Sequence, residues 1–322
     1  MRCGVVRWFV VRWFVVRWLV GAVVLAAPAG SQIPGHWNEG AANCATSGQP
    51  SLEVHPYNAQ TFILRENPCA TFEAPFMYLL VGSTRALLID DGDVADPRQV
   101  PLATTVRSLT PLPLVVVHTH RHLDHRGGDA QFAALANAEV VGYDLESVKR
   151  YYHFTDWPNG VAQVDLGGRV VDVIPTPGHN ETHVAFYDEN TGLFFSGDFL
   201  MPGRLLIDDA AADLASATRV VAFVTKRPVA GVLGGHIEVD TAGKTFPWET
   251  TYHPHEHVLA LTKADLLALP AAVASFNGFY TERGSFIMMN SMRMLIAMAV
   301  GAAIVLAALI GGLVAYLRRR RA

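Results

Sequence analysis

The fold is decided by one stretch, Leu114-Val-Val-Val-His118-Thr-His120-Arg-His122-Leu-Asp124-His125-Arg-Gly-Gly128. Four apolar residues predict a buried strand, and a polar loop dense in histidine follows it. Loops at strand ends are where α/β folds place their chemistry. In extended chain, residues i and i+2 point the same way, so His120 and His122 can face one metal ion. Asp124 and His125 turn toward a different point, because a helical turn begins there.

Three further segments repeat this arrangement of an apolar strand, a glycine turn and a side chain that binds metals. They are Val170–Ile174 before Pro175-Thr-Pro-Gly178-His179, Leu193–Phe195 before Ser196-Gly197-Asp198, and Val229–Leu233 before Gly234-Gly235-His236. Any one of them alone is more typical of a structural histidine or a turn aspartate. Four such motifs in one chain favour a metal centre, and imidazole and carboxylate ligands without a thiol suit zinc, iron or manganese.

Helical patterns alternate with apolar strands along the middle of the chain. The strands recur from Thr61 to Leu233, and the helical patterns cover residues 98–109, 129–135, 145–151, 211–225 and 255–269. Interleaved strands and helices predict a layered α/β architecture.

The C-terminal region predicts a membrane span. Residues 294–317 are 24 consecutive uncharged, mostly apolar positions, which is long enough for a helix to cross a bilayer. Residues 318–322 contain four arginines and predict a basic tail that stays on the cytoplasmic side. A buried core helix is the alternative, but core helices rarely stay apolar on every face over this length.

The N-terminal residues 1–29 are typical of a signal peptide. They hold early arginines, an apolar stretch at 18–27 and the small residues Ala27-Pro28-Ala29, which suit a cleavage site. We therefore expect a single-pass membrane protein whose metal-binding domain is exported. The predicted parts of that exported region are a lead-in segment (30–60), the domain that carries the metal motifs (61–250) and a C-terminal helical extension (251–285).

Two cysteines, Cys44 and Cys69, remain in the exported part. An oxidising compartment favours a disulfide between them, and two free buried thiols are the alternative.

The charge distribution limits the partners. The hydrophobic fraction of 51% and the charged fraction of 17% exclude a disordered chain. All 29 acidic residues lie between Glu39 and Glu282, where only 16 basic residues accompany them. This body carries a net charge of −13 and repels phosphate backbones, so a nucleic acid is not expected as a partner.

The four motifs together resemble the metallo-β-lactamase superfamily of metallohydrolases over about residues 61–236. The segment Leu87-Leu-Ile-Asp90-Asp-Gly92 is similar to the strand turn that supports the metal loop in that family. The resemblance implies an αββα sandwich with a two-metal site at one edge of its sheets. It implies three groups of ligands: His120, His122 and His179 on the first metal, Asp124, His125 and His236 on the second, and Asp198 bridging the two.

The resemblance also implies a function. We expect a membrane-tethered hydrolase with two zinc ions, or iron or manganese in their place, whose bridging hydroxide attacks a small-molecule ester, thioester, lactone or related substrate. Asp124 is the expected catalytic residue, which orients the nucleophile and takes part in proton transfer. The aspartate at position 198 resembles the thioesterase, lactonase, sulfatase and phosphodiesterase branches of the family. The β-lactamases have Cys or Ser at that position. Hydroxyacylglutathione hydrolases share the metal set, but their basic glutathione-binding region is not evident after His236.

Two other functions fit the same motifs. One is a mononuclear iron dioxygenase that acts on persulfides and uses only His120, His179 and Asp198 as ligands. The other is a non-catalytic metal-binding module on a membrane stalk.

Several other side chains have two interpretations each. Asp90 could support a ligand imidazole or simply form a turn, and His118 is predicted to be structural. His183 could line the site or pack beneath it. Four aromatic residues could form a pocket rim or core: Tyr151, Tyr152, Phe154 and Trp157. Three histidines could lie in a solvated helix start or reach over the metal site: His253, His255 and His257.

Overall fold

The computed structural model describes Met1 and residues 32–321. The predicted signal peptide, apart from Met1, lies outside the described residues.

The strands of the described part are short and mostly buried. In chain order they are β1 (Leu52–Asn58), β2 (Thr61–Glu66), β3 (Phe76–Val81), β4 (Ala86–Ile89), β5 (Leu114–Val117), β6 (Ala138–Val140), β7 (Ala162–Asp165), β8 (Val170–Pro175), β9 (Val184–Asp188), β10 (Leu193–Gly197), β11 (Arg204–Leu206), β12 (Gly231–Gly234), β13 (Ala260–Leu261), β14 (Tyr280–Arg283) and β15 (Phe286–Met289). The α-helices are α1 (Leu102–Leu109), α2 (Asp129–Ala133), α3 (Leu145–Tyr151), α4 (Ala210–Val224), α5 (Lys263–Ala274) and α6 (Ser291–Arg321). Short 3₁₀ turns cover Cys44–Thr46 and Leu123–His125.

These strands form two large sheets and one small sheet. The first sheet has the order β1-β2-β3-β4-β5-β6, the second has the order β13-β12-β10-β9-β8-β7, and the small one has the order β11-β15-β14. Strand β5 pairs in parallel with β4 and β6, and all four of its residues are buried. A strand covered on both faces needs such a continuous apolar run, here Leu-Val-Val-Val.

The layers follow the expected αββα order. One apolar core joins the inner faces of the two large sheets, with Tyr78 and Leu87 from the first sheet and Phe186 and Phe195 from the second. A second core lies between the second sheet and the helices α4 and α5. A third core lies between the first sheet and the helices α1 and α2. The predicted α/β sandwich is therefore confirmed.

The structure differs from the sequence prediction at several element boundaries. Strand β1 pairs with β2, so the first sheet begins inside residues 30–60, which the sequence predicts as a lead-in. The helix expected at 255–269 is α5, which begins only at Lys263 because Thr262 and Asp265 form a capping box there. The extension at 251–285 is consequently mixed, since it also contains β13 and β14. Helix α1 begins at Leu102, directly after Pro101, where the fixed φ of proline suits a helix start.

Cys44 and Cys69 form a disulfide, as the sequence predicts. It ties the 3₁₀ turn at Cys44–Thr46 to the loop between β2 and β3.

Helix α6 contains the predicted span. Its apolar side chains are exposed along its length, from Met292 to Leu317. Residues Ser291–Arg320 are long and apolar enough to cross a membrane, with a mean hydropathy of 2.6 and no burial against the rest of the protein.

Candidate metal centre

The seven side chains that the sequence predicts as ligands meet at one edge of the two sheets. The loop after β5 carries four of them, and the turns after β8, β10 and β12 carry one each. Strand β5 is parallel to β4 in the first sheet, and β10 is parallel to β12 in the second, so within each sheet the carboxyl ends of these strands reach one edge.

Two glycines allow this close approach. Gly178, just before His179, has a φ of +154°, and a Cβ there would lie 2.4 Å from the Cβ of Asp213. A Cβ on Gly235 would lie 2.5 Å from Oδ1 of Asp198 and 2.7 Å from Cε1 of His125. Any larger residue at Gly235 would therefore occupy the space between two candidate ligands.

The first group is formed by His120, His122 and His179. Nε2 of His120 lies 2.9 Å from Nδ1 of His122, and Nε2 of His179 lies 3.2 Å and 3.1 Å from these two atoms. One ring nitrogen from each residue thus faces a common point, which is the arrangement that three ligands of one cation require.

The second group is formed by Asp124, His125 and His236. Nε2 of His236 lies 3.2 Å from Nε2 of His125 and 3.3 Å from Oδ2 of Asp124. The donor atoms of each group lie within 4.8 Å of one another. Asp124 is the more accessible member, with 19% of its side chain exposed, so this group opens toward solvent.

Asp198 lies between the two groups. Its Oδ2 is 3.9 Å from Nε2 of His120 and 3.7 Å from Nε2 of His179. Its Oδ1 is 3.4 Å from Nε2 of His125 and 3.7 Å from Nε2 of His236. Among the described residues, this buried Oδ1 has no hydrogen-bond partner. One carboxylate therefore presents an oxygen to each group, as a bridging ligand must.

The opposite ring nitrogen of most of these histidines is held by the fold. Nδ1 of His179 bonds the carbonyl of Leu206 at 2.8 Å, and Nδ1 of His236 bonds the carbonyl of Glu73 at 2.7 Å. Nδ1 of His120 lies 3.1 Å from Oγ1 of Thr119. Partners of this kind fix the tautomer of a ligand imidazole and aim its other nitrogen at the metal.

Asp90 holds His125 in the same way. Its Oδ2 lies 2.9 Å from Nδ1 of His125, and its Oδ1 accepts the N–H of Thr119 at 2.6 Å. Asp90 sits in the turn after β4 with a φ of +61°, so it is a turn residue and a support for a candidate ligand at once.

Sequence reasoning missed the other supports, Leu206, Glu73 and Thr119. The first two act through backbone carbonyls, which any residue type supplies, so no sequence signal could have identified them.

The electrostatics of the centre favour a cation. Burial lowers the pKa of His120 well below its usual value, and the neighbouring His125 and His179 lower it further. Burial opposes the charge on His236 as well, but Asp198 and Asp124 outweigh it and raise the pKa of His236 to about 10. Burial would raise the pKa of Asp124, yet His125 and His236 lower it to about 2. The carboxylates of Asp124 and Asp198 therefore favour positive charge in the centre, carried by a proton or by a cation.

The residues fit a divalent metal. Five imidazoles and two carboxylates, without a thiol, match the preferences of zinc and of the harder first-row metals. Oδ1 of Asp198 has no partner in the described part of the chain, and Gly235 leaves space beside it. A cation could bind there. Each group of three could hold one cation.

Two other buried histidines lie close to the centre and are not among its candidate ligands. His118 has its Nε2 3.0 Å from Oδ1 of Asp129, in agreement with a structural role. His183 is buried and stacks on His120 with ring centroids 5.2 Å apart, and its Nδ1 lies 2.7 Å from Oγ1 of Thr176. It packs beneath the centre.

The later histidine cluster precedes α5 and does not form its first turn. Both ring nitrogens of His253 have partners in their own segment, Glu256 and the carbonyl of Thr250, and its ring stacks on Phe246. Nδ1 of His257 lies 2.8 Å from the carbonyl of Val258, and His255 is exposed.

The four aromatic residues of uncertain role belong to the core. Tyr152 is buried between the sheets, and three partly buried residues pack against that core: Tyr151, Phe154 and Trp157.

The αββα sandwich and the His/Asp centre at its sheet edge are the features that the sequence resemblance implies. A family model described as the metallo-beta-lactamase superfamily matches residues 70–278. The chain belongs to that superfamily.

Individual relatives resemble parts of the chain. A hydroxyacylglutathione hydrolase from Anaeromyxobacter dehalogenans is 35% identical over 39% of this chain and 46% of its own length. The acyl-coenzyme A thioesterase MBLAC2 from Gallus gallus is 25% identical over 61% of this chain and 84% of its own length. The solved metallo-beta-lactamase from Pontibacter korlensis is 19% identical, with a TM-score of 0.46 over 57% of this chain and 91% of its own. The chain spans about half the length of the hydroxyacylglutathione hydrolases that it matches.

Proposed function

We propose that this protein is an exported, membrane-tethered hydrolase that binds two zinc ions and cleaves an acyl ester, thioester or lactone. The observation that carries the proposal is the pair of three-residue groups joined by Asp198, which offers one oxygen to each. His120, His122 and His179 would hold one ion, and Asp124, His125 and His236 the other.

The two ions would supply an activated water near neutral pH and would stabilise the negative charge that develops on the substrate oxygen. The chain's own part begins with Asp124, whose pKa is lowered to about 2 by His125 and His236 against the effect of burial. Asp124 is therefore ionised at neutral pH, and it is partly exposed at the mouth of the site. It can accept a proton from a water molecule and orient that molecule toward the substrate.

A thioester is the substrate class that the relatives favour. Hydroxyacylglutathione and acyl-coenzyme A, the compounds that their names contain, both join an acyl group to sulfur. The sulfur leaves as a thiol once water has added to the acyl carbon, so the centre would need to protonate or stabilise only a weakly basic leaving group.

Export and tethering rest on the two ends of the chain. We propose a signal peptide at residues 1–29, a span within α6 and a basic cytoplasmic tail at 318–322. The disulfide between Cys44 and Cys69 supports an oxidising compartment for the body, because disulfides rarely persist in the cytosol.

Metal analysis of the full chain, purified in detergent and coupled to thioester, ester and lactone hydrolysis, tests this proposal. We expect two zinc ions per chain and hydrolysis that a chelator removes and added zinc restores. One iron per chain with oxygen consumption on a persulfide would contradict it, as would a metal-free chain without turnover.

A further inference from the structure

The helix that the sequence predicts to span the membrane is tied directly to the metal centre. Strand β15 pairs with β11 so that Met289 lies opposite Leu206, and the carbonyl of Leu206 accepts the hydrogen bond from Nδ1 of His179. Asn290, which follows β15, donates from Nδ2 to the carbonyl of Ile207 at 2.8 Å. Helix α6 begins at the next residue, Ser291.

These contacts set the distance between the helix start and the centre. Paired strands lie about 4.8 Å apart and advance about 3.3 Å per residue. The ring of His179 is hydrogen-bonded to β11, and β11 pairs directly with β15. The centre therefore lies within about 15 Å of the first residue of α6. If α6 spans a bilayer, the centre is held next to the bilayer surface.

Exposed aromatic side chains surround the helix start. We call Trp248, Phe279 and Tyr280 the aromatic band; they are 58%, 48% and 40% exposed. The carbonyl of Phe279 accepts the N–H of Asn290, and Tyr280 lies opposite Met289. Trp248 packs on the guanidinium of Arg204, 5.1 Å from its ring centre, and Arg204 begins β11. Exposed tryptophan and tyrosine beside a membrane helix are typical of the membrane–water interface.

A narrow cleft lies between Phe72 and Trp248 of the aromatic band. Glu73, whose carbonyl bonds Nδ1 of His236, also lines this cleft. The charged residues Arg204 and Glu238 in its wall pair with each other at 3.2 Å, so they do not require a charged ligand.

We propose that the substrate is a long-chain acyl thioester or ester dissolved in the membrane that holds α6. This inference rests on the proposed hydrolase function. Each methylene of an acyl chain strengthens binding to a membrane, so such substrates concentrate at the surface where the centre is held. Water adds to the acyl carbon, the carbon–sulfur or carbon–oxygen bond breaks, and the products are a fatty acid and a thiol or alcohol. The polar product enters the water, and the acid stays in the bilayer.

A flexible spacer tests the proposal. The zinc-loaded full chain is reconstituted in phosphatidylcholine vesicles, with and without 20 glycine and serine residues inserted after Asn290. The probes are the butyryl and palmitoyl thioesters of N-acetylcysteamine, which share a leaving group and differ in their solubility. The control carries the same spacer after Ala322, where it leaves the position of the centre unchanged.

We expect the spacer after Asn290 to lower the palmitoyl rate by about tenfold, because the effective concentration falls as the tether lengthens. The butyryl rate should stay within about twofold, and the control should match the parent for both thioesters. Butyryl hydrolysis with no effect of the spacer on the palmitoyl rate would overturn this inference alone. If no variant cleaves either thioester, the inference fails; if the parent also leaves simple esters and lactones intact, the proposed function fails as well.

A second measurement does not depend on activity. Nitroxide-labelled lipids should quench the fluorescence component that Trp248→Phe removes, and the spacer after Asn290 should abolish that quenching. A component that is quenched equally with and without the spacer, or never quenched, would overturn the proposed position of the band.

Discussion

Two clusters of histidine and aspartate lie beside the carboxyl end of β5, and only one of them has the arrangement of a candidate metal centre. The second cluster is Asp91, His118 and Asp129, whose donor atoms also lie within 4.8 Å of one another. Proximity therefore does not distinguish the two clusters. The difference is in the partners. Nε2 of His118 faces an oxygen of Asp129 at 3.0 Å and one of Asp91 at 3.9 Å, whereas ring nitrogens in the metal centre face one another.

In the second cluster, a proton on His118 is sufficient to pair the histidine with a carboxylate. Burial opposes the charge on His118, but Asp129 and Asp91 outweigh it and raise the pKa of His118 to about 9. One proton on one ring thus bonds a carboxylate, and the cluster can act as a buried ion pair. In the first group of the metal centre, three ring nitrogens meet at one point. Protons on these rings would repel each other, so a shared cation is the arrangement that satisfies all three.

Replacement of the bridging carboxylate should have the largest effect. In Asp198→Ala both groups lose an oxygen, so we expect the metal content to fall and the hydrolysis rate to drop by more than the roughly 10²–10³-fold that one charge-stabilising group supplies. Metal analysis and steady-state rates measure both. Asp129→Asn is the matched control, because it removes a carboxylate charge from the other cluster. Equal losses in the two variants would show that the distinction between the clusters is wrong.

Weakening the bond between Asp90 and His125 should reduce zinc affinity less than removing a candidate ligand does. Asp90→Asn keeps the shape of the side chain but weakens its bond to Nδ1 of His125, so we expect a loss of about 10- to 100-fold in zinc affinity or rate. Competition with a chromophoric chelator measures the affinity. Asp91→Asn, at the next position, should change zinc affinity by less than about threefold, since Asp91 contacts the other cluster. A variant of Asp90 that binds zinc like the parent would contradict its assignment as a support.

The sequence was sufficient to predict that the seven candidate ligands meet, because each motif is local. A strand, a turn and a metal-binding side chain are adjacent in sequence, and the carboxyl ends of β5 in the first sheet and of β10 and β12 in the second bring these side chains to one edge. The carbonyls of Leu206 and Glu73 could not be predicted, because their role depends on tertiary contacts and not on residue type.

Other parts of the fold were harder to predict for similar reasons. The small sheet of β11, β14 and β15 has strands of three or four residues, too short for an alternating pattern to appear. The helix expected at 255–269 was placed too early because its apolar pattern extends upstream of the cap at Thr262.

Disruption of the second cluster should affect stability and spare the metal. His118→Asn leaves the buried carboxylate of Asp91 without its counter-charge, so we expect a loss of about 1–3 kcal/mol in the free energy of unfolding. Urea unfolding measures it, and zinc content should stay at the parent level. His36→Asn, at an exposed histidine, should change stability by less than about 0.5 kcal/mol. Loss of zinc in His118→Asn would place this cluster in the metal centre.

An effect that depends on pH and leaves the metal centre untouched is expected at Glu66, a buried carboxylate that has neither an imidazole nor a candidate ligand as its partner. Its oxygens accept the N–H groups of Asp93 and Val94 at 3.1 Å and 3.3 Å. Burial nevertheless raises the pKa of Glu66 from 4.5 to about 8. Between these two values the folded protein keeps a proton that the unfolded chain releases. The stabilisation is therefore complete below the lower value and is lost as the pH rises through the higher one.

The variant Glu66→Gln removes this titration and keeps an uncharged side chain of the same shape. The free energy of unfolding of the parent, measured with urea between about pH 5 and pH 8, should fall relative to the variant by up to about 1.4 kcal/mol per pH unit. All other titrating groups, the metal ligands included, are shared by the two proteins, so the difference isolates Glu66. Parallel pH curves would mean that Glu66 is ionised in the folded protein, and that two backbone donors are sufficient to keep a buried carboxylate charged.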